Sequence, residues 1–306
     1  AITDAAEELG LAGVAPLDTG PPLAASCLMF TRLLVGLDGS AGAESALTAA
    51  IDLARRFHST IVLAAIVDLR ILEAPLYESA APLWTEGLPL APVSAELGRA
   101  LDERAERLLE GGAARVRAAG LAVETVKAVG LVDEELVRLA GQAEAIVVGR
   151  RGEMHEAPGT LGEVTAHIIK KSPKPVLVAG EHPSPCERPV VAYDGREHST
   201  QALAVAARYA VAVAVRLDIV HVTEDAVAGD ALLARAGAFL SGQGVSYETH
   251  RLTGDIGRAV AGFIEGSGCD LLVVGAHGGR GRHSWSIGST AEKLLRATAV
   301  PVIVNR

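Results

Sequence analysis

Gly-Ala-His-Gly at residues 275–278, followed after nine residues by Gly-Ser-Thr at 288–290, is the stretch from which the fold can be worked out. Four apolar residues, 271–274, precede it as a buried strand would, and the Ala, Leu, Lys and Arg after it are typical of a helix. Glycines at strand and helix ends let a ligand approach the main chain, and the Ser-Thr pair offers hydroxyls and free amides to an anion. The stretch therefore predicts a phosphate cradle, although a glycine-rich loop that only reverses the chain would look the same.

Composition restricts the class of protein. The chain has 306 residues, enough for about two ordinary domains with cores of their own. Hydrophobic residues make up 49% and aromatic residues only 3%, which favours an aliphatic core of the kind found in parallel sheets covered by helices. The net charge of -9 argues against a general nucleic-acid binder, because affinity for a phosphate backbone comes from clustered Lys and Arg.

The cysteines and the apolar runs bear on location. Cys27, Cys186 and Cys269 are scattered and fit neither a disulfide framework nor a zinc site, so we expect reduced thiols in the cytoplasm. No apolar run approaches the roughly 18 residues of a membrane span. Acidic residues near the start are unlike a secretion signal. We therefore expect a cytoplasmic protein with no membrane partner and no metal site.

The sequence contains an internal duplication. Leu-Val-Gly-Leu-Asp-Gly at 34–39 is repeated by Val-Val-Ala-Tyr-Asp-Gly at 190–195, and Gly-Arg-Arg-Gly at 149–152 repeats the glycines of the second half. Apolar strands alternate with amphipathic helices in both copies. Such an alternation predicts two tandem α/β domains, each with a parallel sheet and helices on both of its faces.

Composition shifts set the expected boundaries. They predict an N-terminal extension at 1–30, a first domain at 31–180, a linker at 181–189 and a second domain at 190–306. A passage rich in Pro, at about 68–93, is predicted to be a loop insertion in the first domain, followed by a long helix from about 94 to 119.

These motifs together resemble the universal stress protein family in its tandem form. The features that carry the resemblance are Asp-Gly after strand one, Gly-x-x-Gly, nine residues and Gly-Ser after strand four, and Pro-Val-Ile-Val as strand five. The resemblance covers about residues 31–306. It implies a doubly wound, five-stranded sheet in each domain, with strand order 3-2-1-4-5. Ligands of open α/β sheets bind beyond the carboxyl ends where strands one and four are neighbours, and there Asp194 and Gly275 would both lie.

The resemblance also implies an ATP site in the second half. Asp194 would accept a hydrogen bond from the adenosine, and the main chain at His221 and Val222 would border the adenine. The glycines would approach the ribose and phosphates, and the start of the helix would hold the phosphates. Asp194 can instead cap its turn, Ser289 can cap its helix, and Arg280 can be a solvated loop charge. The expected contacts are Asp194, His221, Val222, Gly275, His277, Gly278, Arg280, Gly288, Ser289 and Thr290.

The first half departs from this pattern at one position. It keeps Asp38, Gly149, Gly152 and Gly162, but Glu163 stands where Ser289 stands in the second copy. A carboxylate repels phosphate, so we expect a weakened or lost first site. The alternative is that Glu163 only favours the helix dipole and that a ligand binds in another way.

The sequence thus favours an ATP-binding universal stress protein, a nucleotide-responsive regulatory or stress-survival module with ATP in its second half. One alternative is a slow Mg²⁺-dependent ATPase, although no activated base stands in motif position. Another is a nucleotide-free scaffold that acts through the edge strands at 176–178 and 302–304. In the family such strands pair between domains, so we expect them to pair within this chain; a homodimer is a further expectation.

Overall fold

The computed structural model describes residues 30–71, 91–152, 161–276 and 288–306. Short apolar segments form its strands, and most of their residues are buried. The strands are β1 (Arg32–Gly36), β2 (Thr60–Asp68), β3 (Val123–Gly130), β4 (Ala145–Val148), β5 (Val176–Val178), β6 (Pro189–Ala192), β7 (Leu217–Val222), β8 (Tyr247–Leu252), β9 (Leu271–Gly275) and β10 (Val302–Asn305).

Amphipathic helices connect these strands. They are α1 (Ala41–Phe57), α2 (Ala91–Ala118), α3 (Val132–Ala140), α4 (Glu163–Lys171), α5 (Glu197–Val213), α6 (Ala226–Ser241), α7 (Ile256–Ser267) and α8 (Ser289–Ala297). The long helix expected from about 94 to 119 is α2, which starts three residues earlier because Pro92 fits its first turn, where a missing N–H costs no helical hydrogen bond. Among the described helices, none combines the length and apolar character needed to cross a membrane.

The strands form one ten-stranded sheet with the order β3-β2-β1-β4-β5-β10-β9-β6-β7-β8. Within each half all the pairings are parallel, and each half has the order 3-2-1-4-5. The predicted α/β fold with doubly wound halves is therefore confirmed.

The two halves join through their fifth strands. β5 and β10 pair antiparallel, with Val178 opposite Val302 and Val176 opposite Val304. This confirms the expected pairing of the strands at 176–178 and 302–304. Because each covers the other, these two edges are inside the sheet, and β3 and β8 are its outer strands.

The core lies on both faces of the sheet. Alternate residues of a strand point to opposite faces, so Leu33 and Val35 belong to one buried cluster and Leu34 to the other. β4 is apolar and buried throughout, as expected for a strand covered by helices on both sides. The two helical layers leave the ends of the strands available for binding.

Arg150 ties the first half to the second. It is the second residue after β4, and its guanidinium donates to the carbonyl of Ala179, to that of Leu295, and to that of Val300 at 2.7 Å. Burial lowers the pKa of Arg150, and the charge of Glu181 opposes this effect. The carbonyls near the C-terminus of α8 are thus satisfied by a side chain from the other half of the chain.

Candidate functional site

The candidate site of the second half lies at the carboxyl ends of β6 and β9. These strands are neighbours, with Val191 opposite Val273, so Asp194 and Gly275 are at the same edge of the sheet. β6 is the first strand of this half and β9 the fourth, and their helices lie on opposite faces. This is the switch point at which open α/β sheets bind ligands.

Gly275 allows β9 to pack directly against the start of α5. A Cβ at this position would lie 2.6 Å from the carbonyl carbon of His198 and 2.8 Å from the nitrogen of Ser199. The first half has the same arrangement, since a Cβ on Gly149 would lie 2.6 Å from the Cα of Gly42 in α1. The close contact is therefore a requirement of the fold in both halves.

Asp194 is held by its own turn. Its Oδ1 accepts the Ser199 hydroxyl at 2.6 Å and the Arg196 N–H at 3.1 Å. Its Oδ2 is 3.3 Å from the Arg196 guanidinium. The turn-capping role anticipated for Asp194 is thus present. Sequence reasoning missed Ser199 and Arg196, although a Ser five residues after Asp194, in the first turn of a helix, is a signal.

His221 and Val222 end β7, beside Asp194. The Nδ1 atom of His221 is 2.8 Å from the carbonyl oxygen of Tyr193. A carbonyl only accepts, so Nδ1 carries the proton and Nε2 keeps its lone pair when the ring is neutral. The side chain of His221 is thereby held against the end of β6, and the equivalent residue of the first half is Ala65.

The start of α8 lies next to Gly275. The Gly288 N–H donates to the carbonyl of Ala276 at 2.9 Å, which connects the helix to the end of β9. Gly288 occupies the N-cap, and the described residues give it no side-chain cap hydrogen bond. Ser289 is the first helical residue and is exposed, so it does not occupy the cap position considered for it.

The donors at this helix start suit an anion. The first N–H groups of an α-helix have no carbonyl partner within the helix, and the helix dipole adds partial positive charge. Ser289 and Thr290 add hydroxyl groups at the same end. Three other expected contacts, His277, Gly278 and Arg280, lie outside the described residues.

The first half places a carboxylate at the equivalent helix start. Glu163 is the first residue of α4 and is exposed, after Gly162 at the N-cap. The loop from β4 lies against Asp38, because a Cβ on Gly152 would be 2.9 Å from its Oδ2. Asp38 holds its own turn in the same way as Asp194, through the N–H of Ser40 at 2.9 Å.

Glu163 belongs to a group of charges at the carboxyl ends of the first half. Arg70 forms a 2.7 Å ion pair with Asp68, and this hydrogen bond raises its pKa. The negative charges of Asp133 and Glu163 raise the pKa of Arg70 further. In the second half, Ala226 stands in the place of Arg70 and Gly257 in that of Asp133. Except at Asp68, whose counterpart is the acidic Glu224, the first half thus has charged residues where the second half has small ones.

Comparison with known proteins gives a consistent result. A model of the universal stress protein family matches residues 29–180 and again 187–306. Universal stress protein Slr1230 of Synechocystis is 28% identical over 287 residues, covering 90% of this chain and 99% of its own. Universal stress protein Rv2005c of Mycobacterium tuberculosis is 28% identical over 296 residues, covering 90% and 96%.

Among solved structures, a universal stress protein from Archaeoglobus fulgidus superposes with a TM-score of 0.72 at 22% identity. The match covers 91% of this chain and 98% of that one, and it extends over both halves of the ten-stranded sheet. With two family matches in one chain and relatives of the same length, the protein belongs to the universal stress protein family as a tandem member.

Proposed function

We propose that the second half binds ATP and that the protein is a nucleotide-responsive regulatory module. The observation that carries this proposal is the start of α8, where Gly288 is fixed to Ala276 and a Ser-Thr pair opens the helix. Free amides, two hydroxyls and the positive end of a helix dipole converge there. They lie at the switch point between β6 and β9, beside Asp194.

The remaining expected contacts complete a nucleotide site around this helix start. Asp194 would accept a hydrogen bond from the adenosine, in exchange for one of its contacts with Arg196 or Ser199. The main chain at His221 and Val222 would border the adenine. Gly275, His277, Gly278 and Arg280 would follow the ribose and the phosphates, as the family resemblance implies.

The first half is proposed to be a degenerate copy that binds nucleotide weakly or not at all. Two unit charges about 4 Å apart repel by roughly 4 kcal/mol at the effective dielectric constant of a protein surface. Glu163 would place such a charge at the position where a phosphate would lie. Arg70 is already engaged by Asp68 and does not offset this repulsion fully.

Two further parts of the proposal concern activity and assembly. Slow Mg²⁺-dependent hydrolysis is the enzymatic alternative, and turnover that falls on Ser289→Ala by more than binding does would favour it. The scaffold alternative loses support because β5 and β10, the edges it would use, pair with each other. We propose a cytoplasmic location and a homodimer as further expectations.

The experiment is calorimetric titration of ATP into nucleotide-stripped protein, beside Ser289→Glu. We expect one ATP per chain in the wild type. The variant copies the first-half residue, and the added charge should lower affinity at least 100-fold.

Glu163→Gln is the matched control, since it changes charge at the equivalent position of the other half. It should leave the tight site unchanged. The proposal would be wrong if the wild type bound no ATP, or if Ser289→Glu bound it as tightly as the wild type.

A further inference from the structure

A buried carboxylate lies in the second half, at the opposite end of the strands from the candidate nucleotide site. Asp218 is the second residue of β7, so it is near the amino ends of the strands, and its side chain is 3% exposed. It faces the layer formed by α7, where the ring of His250 packs on Phe263 with centroids 4.6 Å apart. A charge in this position is costly unless it is paired.

Asp218 has three polar neighbours. The Nε2 atom of His250 is 3.0 Å from Oδ1, and the Arg216 guanidinium is 3.3 Å from the same oxygen. The Cys269 thiol donates to Oδ2 at 3.5 Å. Glu248 is opposite Asp218 in the register of β7 and β8, and it pairs with Arg216 at 2.7 Å.

The first half shows that the fold does not need this polar group. In the register of its strands, Val62 stands in the place of Asp218 and Val126 in that of His250. Ala143, two residues before β4, corresponds to Cys269, two residues before β9. All three first-half residues belong to or pack against an apolar core cluster. Glu248 differs, since its counterpart Glu124 is also an acid and pairs with Arg32. The fold therefore does not need Asp218, His250 or Cys269 to be polar, and these three residues require another explanation.

We propose that Asp218, Glu248 and His250 bind a divalent transition-metal ion of the zinc class. One carboxylate oxygen of each acid and one ring nitrogen of His250 lie within 4.8 Å of one another. Carboxylate and imidazole are the ligands that zinc and its neighbours accept, with water in a remaining position. Donors about 2.0 Å from a tetrahedral zinc are roughly 3.3 Å apart, close to the 3.0 Å between Asp218 and His250.

Arg216 is the competitor of the metal in this arrangement. Its guanidinium bridges Asp218 and Glu248 and offsets one of their two negative charges when no metal is bound. Its side chain is 47% exposed, so it can leave for water without moving the backbone. Metal binding exchanges this cation for another, and the neutral ring of His250 then carries its hydrogen on Nδ1, so that the lone pair of Nε2 faces the metal. The Cys269 thiol, by donating to Oδ2 of Asp218, orients this carboxylate. Residues that hydrogen-bond to a metal ligand commonly have this effect.

This site is separate from the proposed nucleotide site and does not depend on it. Asp218 lies near the amino end of β7, whereas His221 and Val222 end the same strand at the nucleotide side. No metal site was expected from the sequence, because Asp218 is far in the chain from Glu248 and His250 and the three have no motif spacing.

The test is titration of full-length, nucleotide-free protein with Zn²⁺ by calorimetry and with Co²⁺ by visible absorption. We expect one tight site per chain and Co²⁺ bands of a low-coordinate complex. Asp218→Asn and His250→Gln should each weaken binding at least 100-fold. Arg216→Gln should tighten it about tenfold, a result that a purely structural ion cluster would not give.

Two control variants and one replacement variant accompany this titration. Ser289→Glu, in the nucleotide site, and Asp133→Asn, which breaks the 3.1 Å His167 pair of the first half, should both leave the affinity for Zn²⁺ unchanged. If Asp218→Asn does not fold, Asp218→Val with His250→Val takes its place, because these are the first-half residues. Wild type without a stoichiometric Zn²⁺ site, or either Asp218 variant with wild-type affinity, would overturn the proposal.

Discussion

The helices α4 and α8 begin at equivalent points of the two halves and differ at their first residue. Both follow a glycine N-cap for which the described residues give no side-chain cap bond. Both N-cap N–H groups donate at 2.9 Å to equivalent carbonyls beyond β4 and β9, those of Arg150 and Ala276. The helix then opens with Glu163 in the first half and Ser289 in the second. The backbone is thus retained while a neutral hydroxyl is exchanged for a negative carboxylate.

This difference separates what the fold requires from what a ligand requires. The glycines at the strand ends, Gly149 and Gly275, are kept in both halves because backbone must pack on backbone there. The side chains that would face a phosphate are not constrained by that packing, since Glu163 and Ser289 are both exposed. One half can therefore lose a ligand without losing its structure.

The largest effect is expected from adding a methyl group at the strand-end glycine of each half, where the fold requires a close backbone contact. Gly149→Ala and Gly275→Ala each force a Cβ to within 2.6 Å of backbone atoms. We expect each to lower the free energy of unfolding by about 3 kcal/mol, whether or not its half binds nucleotide. Urea denaturation measures this change.

Gly262→Ala is the matched control for these variants, because a Cβ there meets no atom within 4 Å of the described structure. It lies inside α7 and should gain about 0.5 to 1 kcal/mol from helix propensity. If Gly149→Ala were harmless while Gly275→Ala was not, the glycine of the first half would not be a packing requirement.

A smaller loss of stability is expected from removing the hydrogen bonds by which Arg150 joins the two halves. The second half has no equivalent arginine. Arg150 reaches the carbonyls of Leu295 and Val300, whereas its equivalent in the second half is Ala276. Arg150→Met keeps an apolar stem and removes the donors, and we expect a loss of about 2 kcal/mol in unfolding free energy. Thermal and urea unfolding measure the loss.

Arg306→Met is the comparison for this prediction, since Arg306 is exposed and makes a single 3.1 Å bond to the carbonyl of Lys170. It should cost about 0.5 kcal/mol or less. Equal losses for the two variants would show that the buried contacts of Arg150 do not stabilise the join.

The smallest effect is at the start of the first helix of each half. Ser40 caps α1 by accepting the Ala43 N–H at 3.0 Å, but Arg196 stands at the equivalent place before α5. Ser40→Ala should cost about 1 kcal/mol, and Arg196→Ser should gain about 0.5 kcal/mol after the loss of its exposed pair with Asp194. Unfolding in urea distinguishes these signs, and a gain from Ser40→Ala would refute the cap.

The fold could be predicted because its signals are local and repeated. Short apolar strands such as β4, alternating with amphipathic helices, fix an α/β sheet whatever the exact helix ends are. The pairing of β5 with β10 was predicted from the family resemblance, because such strands pair between domains in that family. The start of α2 was less predictable, since Pro92 is compatible with both a loop and a first helical turn.

Only those residues of the candidate site that belong to a sequence motif could be predicted. Topology brings Asp194, Gly275 and Ser289 to one edge, as the switch-point argument implied. Contacts between distant side chains left no such signal. The role of Arg150 in joining the halves could not be predicted, because the sequence does not show which carbonyls of the other half lie near its guanidinium. Asp218 and His250 gave a weaker signal, as polar residues where the other copy has valine.

The central claim is that one fold, present twice, retains nucleotide binding only in the second half. The most direct test is photolabelling of the intact chain with an azido-ATP, followed by peptide mapping and competition with unlabelled ATP. Competable label is expected only in peptides of the second half, near 221–222 or in 275–290. Competable label in first-half peptides, near 65–71 or 149–163, would contradict it.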